Sequence, residues 1–157
     1  MKKVILGLII FISSISYSQL KNQGKAEKAE IEIIGKLDFG FGAKFAEMSK
    51  KQNVYTLAYK DLQYSQLDVW EYIVFEDKDN AFENLYSFIT NQFEKKDDFK
   101  QEIKLILGAS ECIFNFKKTL GFKCVYINCL NFSGSYATSR GFGKSDIEKI
   151  FGKNIIK

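Results

Sequence analysis

Between residues 103 and 130 apolar and polar side chains alternate with a period of two in three successive runs, separated by short breaks that carry glycine. Successive side chains of a strand point to opposite faces, so this pattern predicts three half-buried antiparallel strands. The first covers residues 102–107, with Ile103, Leu105 and Leu107 on one face; the second covers 112–117, with Cys112, Phe114 and Phe116. The third covers Phe122–Leu130, with Val125, Ile127 and Cys129. A four-residue turn at 108–111 sets Leu107 opposite Cys112, Leu105 opposite Phe114 and Ile103 opposite Phe116. A two-residue turn at Leu120-Gly121, where glycine accepts positive φ, sets Phe116 opposite Val125, Phe114 opposite Ile127 and Cys112 opposite Cys129. A one-residue slip of the third strand would bring Tyr126 and Asn128 into the apolar set, so the pattern selects the register.

Upstream, apolar residues fall on odd positions: Ile31, Ile33, Leu37, Phe39, Phe41 and Phe45. Gly35, Gly40 and Gly42 interrupt them, which predicts one or two strands with a bulge or bend near the glycines. A polar turn at 49–53 precedes a strand at Val54–Lys60, with Tyr55, Leu57 and Tyr59 on one face. After a second turn, residues 61–66, a long strand covers 67–76. Leu67, Val69, Glu71, Ile73 and Phe75 line one of its faces, and Trp70, Tyr72 and Val74 the other. Both faces are largely apolar, so this strand is expected to be central and covered on both sides.

The period then changes to that of a helix. Phe82, Leu85, Tyr86, Ile89 and Phe93 fall in one stripe, while Phe88 lies about 100° to its side. Asp77, Asp79 and Asn80 supply capping groups, and Lys95 and Lys96 suit the negative end of the helix dipole. A three-stranded meander has nothing of its own to cover its apolar face, and this stripe is the cover expected for it. Residues 131–143 are polar and glycine-dotted and are expected to form a long loop. Ser145 and Glu148 have the spacing of a capping box. The short helix behind them carries Ile147, Ile150 and Phe151, and Gly152 takes the left-handed cap position. The expected fold class is α+β: an antiparallel sheet, made of the N-terminal hairpin strands and the C-terminal three-stranded meander, packed against one main helix, with a short C-terminal helix.

The first residues follow neither period. Lys2 and Lys3 precede an apolar run at 4–12, and Ser16-Tyr17-Ser18 offers small residues where a signal peptidase reads. Residues 1–18 therefore read as a secretory signal peptide, too short in its apolar run for a bilayer core of about 30 Å. Residues 19–29 are a polar, lysine-rich lead-in of disordered character, and 30–157 are expected to form one α+β domain. The expected location is periplasmic or secreted, with no stable membrane insertion once the signal is removed.

Charge removes one class of partner. The whole chain carries a formal net charge of +4, and the mature chain about +2. Arg140 is the only arginine, whereas nucleic-acid surfaces favour the bidentate guanidinium, so no nucleic-acid partner is expected.

Candidate chemistry is sparse. The chain has no histidine, which removes Ser-His-Asp and Cys-His catalysis in their usual forms and histidine-based zinc sites. No metal site and no cofactor are expected. Phe39-Gly40-Phe41-Gly42 lacks the following helix start of a phosphate loop. Gly143-Lys144-Ser145 lacks the glycine of a P-loop, because Thr138 occupies that position. Cys112 and Cys129 face one another across two strands. They are either a disulfide closing a loop of about 16 residues, which contributes ~3 kcal/mol, or two small buried thiols. Cys124 points to the opposite face. Asp61, Asp68, Glu71, Glu76, Asp77 and Asp79 cluster in sequence as the only general acid–base candidates; Glu71 stands out because its strand face is otherwise apolar.

Tyr55-Thr56-Leu57-Ala58-Tyr59-Lys60-Asp61 and Ile150-Phe151-Gly152-Lys153, in a layout of tyrosine-rich hairpin, helix, meander and closing helix, resemble short exported proteins common in Bacteroidota. The resemblance spans about residues 54–153 and implies no activity and no catalytic residues.

Three functions are weighed on these grounds. The first is a non-catalytic exported domain that binds a protein or cell-envelope component. Its candidate binding surface is Tyr55, Tyr59, Tyr64, Trp70, Tyr72 and Phe88, since interfaces favour aromatic side chains. The second is a carrier of an apolar small molecule or lipid between helix and sheet. The third is a carboxylate-based hydrolase. The aromatic hairpin, 55–75, and the loop at 131–143 are the stretches expected to carry function.

Overall fold

A computed structural model of the chain describes residues 30–95, 99–130 and 134–153. The expected signal segment and lead-in lie outside the described residues, as do Lys96, residues 131–133 of the expected loop and the side chains of Phe39 and Phe41.

The elements are those of an α+β protein, but the single sheet expected from the sequence is two. β1 (Glu32–Phe39), β2 (Ala43–Lys51), β3 (Val54–Lys60) and β4 (Trp70–Glu76) form one four-stranded antiparallel meander. β5 (Gln101–Leu107), β6 (Ser110–Thr119), β7 (Phe122–Leu130) and β8 (Tyr136–Thr138) form the other. Helix α1 (Ala81–Glu94) links the sheets, and α2 (Lys144–Ile150) packs on β1 and β2. α1 carries the chain away from β4, so the outer edge of β4 meets the β5–β6 turn rather than another strand. Gly108, at φ +59°, lies against the carbonyl of Val74, where a Cβ would come within 2.1 Å of the oxygen.

In the second sheet the β6–β7 register is the expected one: Cys112 faces Cys129, Phe114 faces Ile127 and Phe116 faces Val125. Leu120 and Gly121 form the turn, both at positive φ. The β5–β6 register differs from expectation by two residues. Leu105 faces Cys112 and Ile103 faces Phe114, which leaves Gly108-Ala109 as a two-residue turn. A slip of two keeps every side chain on its own face, so alternation alone does not distinguish the two pairings.

Residues 131–143 are not simply a loop. Ala137 pairs with Cys129, Ser139 N–H donates to Ile127 O at 2.8 Å, and Val125 and Phe142 exchange two backbone bonds of 2.9 Å. Ala137, Ser139 and Phe142 are buried. The unpaired edge of β7 recruits this segment, whose own pattern is too short to announce a strand.

In the first sheet Ile33 pairs with Ser49 and Gly35 with Met48, so Ile34 is an extra residue in β1. This bulge reverses the phase of the strand. Leu37 is buried, whereas Ile31 and Ile33 are exposed, contrary to a continuous odd-numbered face. Beyond the bulge Gly35 meets α2, where a Cβ would stand 2.1 Å from Lys149 O and 2.6 Å from Ile150 O. β4 is three residues shorter than the strand expected over 67–76, because turns occupy the preceding stretch and leave Leu67 exposed. It is also an edge strand covered on one face: Ile73 and Phe75 are buried while Tyr72 and Val74 face solvent.

The apolar stripe of α1 serves both sheets. Phe82 stacks on Tyr55 of β3 at 4.3 Å between centroids, and touches Phe151 beyond α2 at 5.2 Å. One helical face further on, Phe88 meets Phe114 and Phe116 edge-on at 6.2 and 6.3 Å, and Phe93 meets Phe116 at 6.4 Å. Asp77 caps the helix by accepting the Phe82 N–H at 3.0 Å. At the other end the cation on the helix carbonyls is Lys123 of β7, which donates to Phe93 O at 2.7 Å and Lys95 O at 2.6 Å. The cap of α2 is Gly143, two residues before the expected Ser145. Asp146, rather than Glu148, reaches back, accepting the N–H of Gly143 at 3.1 Å, and Ser145 is inside the helix. Its end is as expected: Gly152 is left-handed, and Lys153 N–H closes onto Glu148 O at 2.8 Å.

The contact between β1 and α2 yields a paired prediction. Gly35→Ala should destabilise the protein by about 1–3 kcal/mol, because backbone atoms block the new methyl group. Gly40→Ala, with nothing within 4 Å of the added carbon, should change stability by less than about 0.5 kcal/mol. Urea unfolding of both variants measures the difference; equal midpoints would refute the close approach.

Candidate interaction surface

Strand parity divides the aromatic residues that the sequence groups together. On β3, Tyr55 and Tyr59 point inward and are buried. On β4, Trp70 pairs with Lys60 and Tyr72 with Ala58, so both lie on the opposite, outer face. Tyr64 is exposed in the turns between these strands. Phe88 is partly buried against Phe114 and Phe116. Of the six candidates, Trp70 and Tyr72 share a surface and Tyr64 is exposed separately. Tyr55, Tyr59 and Phe88 are packing residues, because the core needs their area more than a partner does.

Tyr72 stands between two hollows. On one side Lys60 bridges Asp68 at 2.8 Å and sits 5.6 Å from the Trp70 ring centre, while Trp70 Nε1 donates to Asp68 at 3.1 Å. These hydrogen bonds from Lys60 and Trp70 hold the Asp68 carboxyl below the usual range. On the other side a groove of about 410 Å³ separates β4 from the second sheet, with Tyr72, Val74, Ser110 and Leu130 in its walls. Beyond the Val74–Gly108 contact a second groove of about 590 Å³ is lined by Val54, Val74, Ile106 and Leu107. Tyr72, Val74, Ile106 and Leu130 are all exposed. Parity marks the residues that sequence reasoning missed: Val74 follows Tyr72 by two, and Ile106 is the apolar member of the Glu102, Lys104, Ile106 face.

Backbone groups border the same grooves. Asp77 N–H donates to Asn53 O and Asp61 N–H to Val69 O. Counting by twos along the antiparallel pair, Glu71, Ile73 and Phe75 bond to β3. Trp70, Tyr72 and Val74 therefore turn their N–H and C=O groups toward the outer edge.

The acidic cluster is dispersed over structural tasks. Asp61 is buried where the sheets meet, accepting N–H groups from Gln63 at 3.0 Å and Thr138 at 3.3 Å. Glu76 pairs with Lys78 at 2.7 Å, and Asp77 caps α1. Glu71 lies across the sheet from Tyr59, on the other face of β4 from the Asp68 ion pair. Its charge, after burial itself, pushes the Tyr59 hydroxyl far above its ordinary value. Tyr59 joins the sheets by donating to Ala137 O at 3.2 Å. Among the described residues no group of three or more histidine, cysteine or acidic side chains is placed to hold a metal ion. No described helix is long and apolar enough to cross a membrane.

Cys112 and Cys129 form a disulfide across β6 and β7, and Cys129 also borders the 410 Å³ groove. Cys124 remains a free thiol, raised above its ordinary value by partial burial and by the charge of Asp146, with Arg140 opposing. A raised thiol is a poor nucleophile.

Comparison with protein-family models, with curated proteins and with solved structures finds no match to this chain.

Tyr59 makes stability sensitive to alkali. Its ionisation is suppressed in the folded protein, whereas an unfolded tyrosine ionises near pH 10. The stability it contributes is complete below about pH 10 and is lost as pH rises further. Tyr59→Phe should cost about 0.5–1.5 kcal/mol near neutral pH, by removing the hydrogen bond to Ala137 O, yet flatten the decline of stability between about pH 9 and 11. Denaturant unfolding across that range checks both effects; an unchanged slope would remove Tyr59 as the cause.

Proposed function

We propose that this protein is an exported, non-catalytic binding domain that holds a protein or envelope component along the open flank of β4. The observation that carries this is the juxtaposition of exposed Tyr72, Val74, Ile106 and Leu130 around two open grooves beside an outward-turned strand edge. Aromatic and aliphatic side chains supply contact area with little conformational loss, and an edge strand offers backbone bonds to an extended segment of a partner. The engagement of Asp61, Asp68, Glu76 and Asp77 in caps and ion pairs argues against acid–base work for them. The space between α1 and the sheets is occupied by Ile89, Phe93, Phe114 and Phe116, which leaves an apolar carrier nothing to enclose its cargo. Export is supported by the Cys112–Cys129 disulfide, which persists in oxidising compartments.

Two measurements test this proposal. Thiol titration of unfolded, unreduced protein recovered from its native compartment should find one reactive thiol, from Cys124, and all three cysteines after reduction; three before reduction would reject export. A photoreactive residue in place of Tyr72 should give a discrete adduct in cells, whereas one in place of Ser87, exposed on α1, should not. An adduct from both positions, or from neither, would sink the assignment of this flank.

A further inference from the structure

The far end of the second sheet, away from the β4 flank, carries a different surface. Leu120 and Phe122 form the tip of the β6–β7 hairpin and are 93% and 74% exposed. Leu120 stands at φ +51°, a left-handed conformation in which a two-residue hairpin ordinarily holds asparagine or glycine. A Cβ added at neighbouring Gly121 would meet nothing within 4 Å, so open space lies beside that residue of the turn. A large apolar side chain is thus kept in strained backbone, in water.

Lys117, Lys118 and Lys123 flank the tip along the two strands, and Glu94 lies near enough to Lys123 to feel its charge. Lys118 and Lys123 are directly opposed across the two strands, a repulsive pair in isolation. Lys123 is held by the carbonyls at the end of α1, whereas Lys118 is exposed. Lys100 and Lys117 join Lys118 around one hollow of about 420 Å³. On the other side of the hairpin, Phe122 continues into a shallow apolar groove with Phe45 and the exposed Leu62, where the Arg140 guanidinium lies 4.9 Å from the Phe45 ring centre.

We propose that this hairpin tip is a contact site for an anionic phospholipid surface: Leu120 and Phe122 enter the boundary between headgroups and acyl chains while Lys117, Lys118 and Lys100 lie against the headgroup phosphates. A convex apolar point collared by cations matches the two layers of such a surface, apolar within and negatively charged outside. The left-handed leucine and the facing lysines both oppose folding at the same hairpin end, and a negatively charged apolar phase favours both. Contact of this kind seats the domain on a membrane without a spanning segment, and it leaves the β4 flank free.

The test compares protein recovered from the periplasm of an expression host with Leu120→Asn/Phe122→Ser prepared in the same way. Asparagine suits the left-handed position, so the melting temperature of the variant should be unchanged or higher, which separates lost binding from lost folding. The wild-type chain should co-sediment with vesicles containing phosphatidylglycerol about tenfold more tightly than with phosphatidylcholine vesicles, and less tightly as salt is raised. The double variant should lose about tenfold in that binding. Lys117→Gln/Lys118→Gln should lose the preference for the anionic lipid, while Tyr72→Ser should bind as wild type. Failure of the wild type to bind anionic vesicles, or equal binding by the double variant, would overturn the proposal. So would a photoreactive residue at Phe122 that captures a protein, including a second copy of this chain, instead of lipid.

Discussion

Each sheet buries one face, and α2 covers only the β1–β2 part of the first. The stripe on α1 is the surface they share. Phe82 lies on Tyr55 of the first sheet, and Phe88 and Phe93 meet Phe114 and Phe116 of the second. A helix of 14 residues can do this because its apolar residues extend beyond one narrow line: Phe88, off the main stripe, widens the covered arc toward β6. The ends of α1 are fixed from both sides as well, by Asp77 after β4 and by Lys123 of β7. Loss of α1 would therefore expose both sheets together.

A second, smaller joint holds the sheets edge to edge. Tyr59 reaches Ala137, Asp61 accepts from Thr138, and Leu62 N–H donates to Thr138 O at 2.7 Å. At the opposite side Gly108 meets Val74, and the surface opens into grooves above and below that contact. Outside the packing under α1, exposed apolar residues gather at the flank of β4 and at the β6–β7 tip, with Ile31, Ile33 and Leu67 exposed elsewhere. That division motivates a binding role at surfaces rather than an interior site.

The sequence was most legible where one face is apolar and the other polar. The pairing of Cys112 with Cys129 could be read from alternation together with the two-residue turn at Leu120-Gly121, because a one-residue slip would bring Tyr126 and Asn128 among the apolar side chains. The pairing of Leu105 with Cys112 could not, because a slip of two is silent to alternation and was decided by the left-handed Gly108. A bulge near Gly35 was expected from the glycine, but the phase reversal that turns Ile31 and Ile33 outward was not. Of the aromatic residues proposed as a surface, Trp70 and Tyr72 were separable from Tyr55 and Tyr59 by parity; grouping them by nearness along the chain obscured it. The exposed pair Leu120 and Phe122 had no such signal, because a turn residue and its neighbour have no periodic partner.

What the chain determined by itself is local: which residues share a face, where helices begin and end within a turn or two, and which catalytic chemistry the absence of histidine removes. These follow from side-chain direction in strands and helices and from composition, and they need no knowledge of distant contacts. Tertiary structure alone decided that there are two sheets, that β4 is an edge, that 136–142 pairs with β7, and that Asp61 is a buried joint. Each depends on which of several available edges and faces a segment meets, a competition between parts of the chain far apart in sequence. Packing decides that competition after every local preference has been satisfied.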